Sequence, residues 1–117
     1  MIVYGIKNCD TVKKALTWLK EHELTYEFHD FKKEGISEDR LIKWSEQLGW
    51  EALLNKRGTT WKQLDQQTKE SIIDSLSAFA LMQAKPSVIK RPVIEAGEIL
   101  LNGFDENAYI QLCPKTK

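Results

Sequence analysis

One cysteine stands where a short apolar run gives way to a helical pattern. Cys9 follows Ile2–Tyr4, a run typical of a buried strand, which Gly5 interrupts. Asp10 and Thr11 favour the start of a helix. Apolar residues then recur at helical spacing: Val12, Ala15, Leu16 and Leu19. The unpaired N–H groups and the positive dipole end of such a helix favour thiolate, so the sequence predicts a reactive thiol at Cys9.

Two further considerations bear on this cysteine. Lys7, Lys13 and Lys14 lie close to it in sequence, and we expect their charges to stabilise the thiolate further. The alternative is that Cys9 is a small buried filler, because free cysteine packs like an apolar residue. A second cysteine, Cys113, directly precedes Pro114, and from there we expect a frayed polar tail and an incidental thiol.

The composition argues against several other kinds of site. The 117 residues carry 17 basic and 17 acidic side chains, so bulk charge predicts no nucleic-acid or acidic-membrane partner. No apolar run is long enough to span a membrane, no signal peptide opens the chain, and two distant cysteines make no disulfide framework. We therefore expect a cytoplasmic protein. His22 and His29 have no converging ligands, so no metal site is predicted.

The remaining elements are read from apolar periodicity and turn residues. Thr25–Phe31 alternates like a second strand, giving a β-α-β unit. A helical block follows: a helix capped by Ser37 and ended by Gly49, a helical turn over 50–54, a polar loop over 55–60, and a helical run over 65–84. Ser77 is an alternative start for a separate last helix within that run. Its last helix should bury one apolar face: Ile72, Ile73, Leu76, Phe79 and Ala80.

In the C-terminal third, the residue pattern predicts two strands and a helix. The strands cover 93–95 and 98–101 with a turn at Ala96–Gly97, and Asp105 caps a helix that runs to about Leu112. The order β-α-β, helices, β-β-α is the thioredoxin arrangement with a helical insertion. We therefore predict an α/β protein of a single domain, 1–117, with a thioredoxin-like core over 1–31 and 86–113 and an insertion over 37–85. Pro92 opens the third strand where such folds keep a cis-proline beside the reactive cysteine.

Four segments together carry a family resemblance, namely Tyr4–Ala15, Asn55–Leu64, Pro86–Val93 and Leu101–Phe104. They resemble the ArsC/Spx family, and most closely its YffB-like branch, over essentially the whole chain. The resemblance implies a thioredoxin-like fold with an inserted helical domain. In the family, arsenate reductases use one N-terminal cysteine, three arginines, glutathione and glutaredoxin. Spx proteins bind RNA polymerase and switch through Cys-x-x-Cys, and YffB-like proteins are expected to be glutathione-dependent thiol reductases.

The resemblance transfers residue by residue. Cys9 matches the nucleophile, and Arg91 matches the arginine that precedes the cis-proline Pro92. Asn55 stands where arsenate reductases have their first oxyanion arginine, with Arg57 two positions later. Three further departures leave a site with one thiol: there is no arginine around Asn102 and Gly103, Gly5 replaces a histidine, and Val12 replaces the second cysteine of the Spx switch.

The resemblance and the residues together predict a glutathione-dependent thiol-disulfide oxidoreductase. Cys9 is the catalytic residue, glutathione is a co-substrate, and no cofactor is tightly bound. Glutaredoxin is a candidate protein partner. The predicted residues that bind substrate or glutathione are Lys7, Asn8, Asp10, Thr11, Asn55, Arg57, Arg91 and Pro92. Two alternatives stay open: a glutathione- and glutaredoxin-linked arsenate reductase, and a Spx-like protein that binds RNA polymerase.

Overall fold

The structure, a computed structural model, describes residues 1–114. The chain divides into two compact units. The first unit joins Met1–Asp30 to the chain from Arg91 to the last described residue, Pro114, and the second is Phe31–Lys90. The first unit thus contains both ends of the predicted thioredoxin-like core, and the second contains the helices that interrupt it.

The first unit is built on a mixed sheet of four strands in the order β2-β1-β3-β4. The strands are β1 (Ile2–Gly5), β2 (Glu27–Asp30), β3 (Val93–Ala96) and β4 (Ile99–Asn102). β1 is parallel to β2, as a helical crossover requires, and the other two pairings are antiparallel. Gly97 turns the chain between β3 and β4 at φ +61°, one residue later than predicted, because Ala96 still pairs with Ile99.

Two helical segments pack on this sheet. They are α1 (Asp10–Glu21), and α8 (Glu106–Tyr109), which continues as a 3-10 turn over Ile110–Leu112. Because side chains alternate along a strand, one face of the sheet meets the helices and forms the core. Its buried members are Val3, Ala15, Trp18, Leu19, Ile94 and Tyr109. The predicted β-α-β and β-β-α halves of a thioredoxin-like fold are confirmed.

The second unit consists of short helices. They are α2 (Phe31–Glu34), α3 (Glu38–Leu48), α4 (Trp50–Leu53), α5 (Thr59–Lys62), α6 (Gln66–Glu70), α7 (Ser75–Ala84) and a 3-10 turn over Pro86–Val88. The predicted Ser37 cap is confirmed, since its Oγ accepts the Arg40 N–H at 3.2 Å. Phe31, predicted to end β2, instead begins α2 and packs edge-on against Trp44 within this unit.

The predicted helical run over 65–84 is interrupted in its middle, so the alternative with a separate last helix is the better one, although that helix starts at Ser75 and not at Ser77. The chain leaves the helix after Glu70 and starts again at Ser75, where Asp74 accepts the Ser77 N–H at 2.9 Å in a capping box. An aspartate side chain that caps a new helix competes with continuation of the old one. The apolar face therefore shifts: Ile73 and Leu76 are 76% and 69% exposed, and α7 buries Ala78, Phe79, Leu81 and Met82.

The C-terminal cysteine also differs from expectation. Cys113 is half-buried and packs against the core of the first unit, and its N–H donates to the Ile110 carbonyl at 3.1 Å. The expected frayed tail from Pro114 falls, beyond that residue, outside the described residues. Between Met1 and Pro114 the longest helix, α1, has 12 residues, and no helix there is long and apolar enough to cross a bilayer.

Candidate active site

Cys9 occupies the N-cap position of α1. Its backbone is extended, with φ −133° and ψ 123°, and its carbonyl accepts the Lys13 N–H at 2.9 Å. The helix was expected to start with Asp10 and Thr11; the structure places these residues inside the first turn and makes Cys9 the cap. The thiol is therefore carried by the cap residue, next to the first N–H groups of the helix, which have no partner within the helix.

The close packing of α1 against the end of β1 determines where the cap residue Cys9 lies. A Cβ atom on Gly5 would lie 2.9 Å from Cγ2 of Val12, and Val12 is fully buried. Glycine at the end of β1 therefore allows the first turn of α1 to pack directly against the strand. The short loop between them, residues 6–9, then carries Cys9 to the end of the strand.

The pKa of the Cys9 thiol is lowered below its ordinary value. Partial burial of the sulfur acts in the opposite direction and raises the pKa, because burial penalises the charged form. The backbone N–H of Val12, the guanidinium of Arg91 and the backbone N–H of Thr11 together outweigh that penalty. Because donors and a positive charge favour the charged form, these groups act by stabilising the thiolate.

Arg91 reaches this thiol from the residue before β3. It is half-buried, it contributes both a side-chain hydrogen bond and a charge interaction to Cys9, and the peptide bond to Pro92 is cis. The predicted pairing of Cys9 with an arginine beside a cis-proline is thus present within the first unit. A guanidinium beside a thiolate can also bind an anionic group that approaches the sulfur.

Gly103, the residue after β4, holds the Pro92 backbone and is itself held by α8. The Pro92 carbonyl accepts the Gly103 N–H at 2.8 Å, and the Gly103 carbonyl accepts the phenolic O–H of buried Tyr109 at 2.6 Å. Nothing in the sequence assigned Tyr109 a part in the site. Its only signal was a place in the last predicted helix, since a hydrogen bond across six residues leaves no periodicity.

The lysines contribute less than expected. Backbone N–H groups and Arg91, rather than Lys7, Lys13 or Lys14, are the groups that lower the pKa of Cys9. All three lysines are exposed, where water screens their charge. The contribution of backbone N–H groups was predicted from the helix start without naming the residues. The N-cap rule identifies Val12, because the cap side chain faces the N–H three residues later.

The other predicted binding residues divide between the units. Lys7, Asn8, Asp10 and Thr11 are exposed around the loop and first turn that carry Cys9. Asn55 and Arg57 belong to the second unit. There the Asn55 Oδ1 accepts the Arg57 N–H at 3.1 Å, and a Cβ on Gly58 would lie 2.7 Å from Asn55 Nδ2. The Asn55 side chain therefore shapes its own loop.

The comparisons with known proteins decide the family. The ArsC family profile matches residues 4–112. This chain belongs to the ArsC family. An uncharacterised protein of Haemophilus influenzae is 46% identical over 107 residues, which are 92% of this chain and 93% of that protein. The ArsC/Spx resemblance inferred from the four sequence segments is confirmed.

Solved structures of family members share the fold. The YFFB (PA3664) protein is 48% identical, with a TM-score of 0.89 over 94% of this chain and 96% of that one. An arsenate reductase (ArsC) related protein from Brucella melitensis is 44% identical, with a TM-score of 0.73 over 94% and 91%. A sequence match of another kind is the global transcriptional regulator Spx of Streptococcus mutans, which is 26% identical over 92% of this chain and 79% of the Spx chain. This protein is thus an arsenate reductase-related member of a family that includes a regulator.

Proposed function

We propose that this protein is a glutathione-dependent thiol-disulfide oxidoreductase with Cys9 as its single catalytic thiol. The observation that carries the proposal is the Cys9–Arg91 pair at the N-terminus of α1, where N–H groups and a guanidinium lower the pKa of the thiol. Thiolate is the form that attacks disulfides, and a half-buried cap residue remains open to a substrate.

The reaction runs in two exchange steps. The Cys9 thiolate attacks the glutathione sulfur of a mixed disulfide, the old S–S bond breaks, and the other sulfur leaves as a thiolate that takes up a proton. A second glutathione thiolate then attacks the Cys9 adduct, which releases the Cys9 thiolate and glutathione disulfide. Overall, one glutathione and one mixed disulfide give one free thiol and one glutathione disulfide, so the substrate gains the two electrons that glutathione loses.

The residues around Cys9 have distinct roles in this scheme. Arg91 binds a carboxylate of the incoming glutathione through charge-assisted hydrogen bonds and stabilises the leaving thiolate. The first-turn N–H groups, with Asp10, Thr11 and the preceding Lys7 and Asn8, orient the glutathione backbone. Pro92, joined to Arg91 by a cis peptide bond, contacts the bound glutathione in this scheme. Val12 carries no thiol, so an external thiol must resolve the adduct. Binding of glutathione by Asn55 and Arg57 stays a prediction.

Intact-mass analysis after exposure to glutathione disulfide tests the single-thiol scheme. We expect one glutathione adduct on the wild type and on Cys113→Ser, and no adduct at position 9 in Cys9→Ser. Free glutathione should release the adduct equally fast from the wild type and from Cys113→Ser. An internal Cys9–Cys113 disulfide in the wild type, with an adduct that persists only in Cys113→Ser, would make Cys113 the resolving residue and refute the scheme.

A second candidate function rests on the regulator among the relatives. The Spx protein of Streptococcus mutans matches 92% of this chain, so binding to RNA polymerase without catalysis is the alternative of another class. The absence of a cysteine at position 12 removes the Spx type of redox switch but not a binding surface. Retention of purified RNA polymerase by the immobilised protein, unchanged in Cys9→Ser and without glutathione turnover, would favour this alternative.

A further inference from the structure

A groove of about 500 Å³ is lined by α1 and by the chain that leads into α8, all within the first unit. Its apolar lining is aromatic, namely Trp18 of α1 and Phe104 of the loop before α8. Both rings pack edge-on against the ring of Tyr109, with centroids 5.5 and 5.2 Å away. Because one buried tyrosine holds both rings, the aromatic surface is in place before any ligand arrives.

Four charged side chains also line the groove: Lys13, Lys14, Glu21 and Glu106. Within residues 1–114, none of the four has an ion pair or a side-chain hydrogen bond. An anion would be attracted by the two lysines but repelled by the two glutamates, and the converse holds for a cation. A peptide bond offers both a carbonyl acceptor and an N–H donor. A lining that contains both donors and acceptors therefore suits a peptide chain better than a ligand of one charge.

Both walls of the groove begin beside the candidate active site. On the α1 side, the Lys13 N–H donates to the Cys9 carbonyl at 2.9 Å. On the other side, Phe104 follows Gly103, whose N–H donates to the Pro92 carbonyl at 2.8 Å. β1 and β4 are both antiparallel to β3, so they end at the same edge of the sheet. The groove therefore starts at the edge that carries Cys9, where a chain joined to a sulfur at Cys9 can enter it.

We propose that this groove binds the polypeptide half of a glutathione mixed disulfide, with an apolar side chain of the peptide packed on Trp18 and Phe104. This rests on the function proposed above and names its substrate class, glutathionylated peptides or proteins with a bulky apolar residue near the modified cysteine. The Cys9 thiolate attacks the glutathione sulfur, the S–S bond of the mixed disulfide breaks, and the peptide leaves the groove as a thiolate that takes up a proton.

Helix geometry predicts how far the apolar residue lies from the modified cysteine. Trp18 follows Cys9 by nine residues, roughly 13 Å along the helix axis. Side chains on a helix lean towards its N-terminus, which shortens the span to about 10 Å. An extended peptide covers about 3.3 Å per residue, so the apolar residue should lie about three positions from the cysteine.

Steady-state kinetics of the full-length protein with two glutathionylated peptides test the proposal. The first is acetyl-Phe-Ala-Ala-Cys-Ala-Ala-Phe-amide with glutathione on its cysteine, which offers a phenylalanine in either chain direction. The second has alanine in place of both phenylalanines. Glutathione is the reductant, and NADPH consumption through glutathione reductase is followed. We expect kcat/KM to be about tenfold higher or more for the phenylalanine peptide, because one aromatic side chain is buried on binding.

Thr17→Arg blocks the groove without changing the core, because Thr17 is an exposed residue of α1 that lines it. Ala80→Arg is the matched control, since it adds the same side chain at an exposed helical position of α7 in the second unit. We expect the preference for the phenylalanine peptide to disappear in Thr17→Arg and to persist in Ala80→Arg. Equal kcat/KM for the two peptides in the wild type, or an unchanged preference in Thr17→Arg, would overturn the proposal.

A titration without chemistry separates this proposal from the thiol chemistry on which it rests. Both peptides, with serine in place of cysteine, are added to the isotope-labelled wild type, and amide shifts are followed by NMR. If neither glutathionylated peptide is turned over, the proposed function fails. Saturable shifts at Lys14, Trp18 and Phe104 with the phenylalanine peptide alone would then still support the groove. Shifts that never saturate, or that are equal for the two peptides, would overturn the groove even where mixed disulfides are reduced.

Discussion

At Cys9, two opposing effects decide whether the thiol is reactive. Burial alone would make it an inert small apolar side chain, because a desolvated thiolate is unfavourable. The Val12 and Thr11 N–H groups and Arg91 provide more stabilisation than burial removes, so the pKa is lowered. The choice between the reactive and the filler interpretations therefore depends on those three groups and not on the exposure of the sulfur.

The lowered pKa of Cys9 predicts a pH dependence of alkylation. In a Cys113→Ser background, the iodoacetamide rate of the protein should reach half its plateau below pH 8.5, about the value for a free thiol. Below that midpoint, protons convert thiolate to thiol, so the rate should fall about tenfold per pH unit. Arg91→Ala should move the midpoint upward, because the thiolate loses a hydrogen bond and an opposite charge.

Two further variants, Arg91→Lys and Lys13→Ala, separate the effect of Arg91 on the alkylation midpoint from that of the surface lysines. Lysine at position 91 should leave the midpoint between those of the parent and Arg91→Ala. Lys13→Ala should leave it nearly unchanged, since the lysine is not among the groups that lower the pKa of Cys9. If Lys13→Ala raised the midpoint as much as Arg91→Ala does, the surface lysines would be the main cause.

The sequence identified the main residues of the site but not all of their partners. Cys9 and Arg91 could be predicted because a strand–loop–helix pattern and a family motif both mark them. Lys13 and Lys14 were given too much weight, because closeness in sequence does not measure how strongly water screens a charge. The stabilising backbone N–H groups were predicted as a class from the helix start. Their identification as those of Val12 and Thr11 required knowing that Cys9 is the cap residue.

At the scale of elements, α8 supports the active-site segment through one side chain. Tyr109 is the link, because its hydroxyl bonds the Gly103 carbonyl while the Gly103 N–H bonds Pro92. Burial, together with the nearby Asp105 charge, raises the pKa of Tyr109, so the phenol keeps its proton in neutral and moderately alkaline solution. The hydrogen bond to Gly103 should therefore persist across the range in which Cys9 titrates.

Tyr109→Phe should lower the free energy of unfolding by about 1–3 kcal/mol, the cost of leaving a buried carbonyl without a donor. Urea denaturation measures this difference. Tyr26→Phe is the matched control, because Tyr26 is half-buried at the edge of the same core and its hydroxyl bonds no group within residues 1–114. Equal losses in the two variants would mean that the Gly103 hydrogen bond contributes nothing specific.

Helices with a strong apolar periodicity were predictable. Element ends at which a side-chain cap competes with continuation of the helix were not. α1 and α3 were foreseen because their apolar stripes and end residues agree. The break at 71–74 was anticipated only as an alternative restart at Ser77. Its position was missed, because Asp74 resembles any exposed helical residue in the sequence until it is seen to cap α7. The predicted second strand over 25–31 exceeded β2 by two residues at its start and by Phe31 at its end. Phe31 was included because it is apolar, and the structure buries it against Trp44 in the second unit.

At the scale of the whole molecule, the family does not determine the reaction. Arsenate is a tetrahedral oxyanion, and its reduction needs several preorganised donors around the transition state. Here Arg91 is the matched arginine, and the Asn55 side chain shapes its own loop. We therefore expect the wild type, with glutathione and glutaredoxin, to reduce arsenate far more slowly than the 1 per second at the low end of typical enzyme rates.

A coupled assay that follows NADPH through glutathione reductase measures this turnover. The same assay with a glutathione mixed disulfide as substrate is the positive control, because it uses the same thiol and reductant. Arsenate turnover at or above about 1 per second would contradict the expectation and favour the arsenate reductase alternative.

The close approach of Gly5 and Val12 limits the evolutionary paths open to this protein. A side chain at position 5 collides with the valine, so gaining the histidine found in arsenate reductases is deleterious until position 12 has become smaller. The exchange of Val12 for cysteine, which would supply the second thiol of a Spx-type switch, carries no such precondition at Gly5. The two sites of the family thus differ in the substitutions that this chain would need. A histidine at position 5 requires a smaller residue at position 12 first, whereas a cysteine at position 12 requires a single substitution.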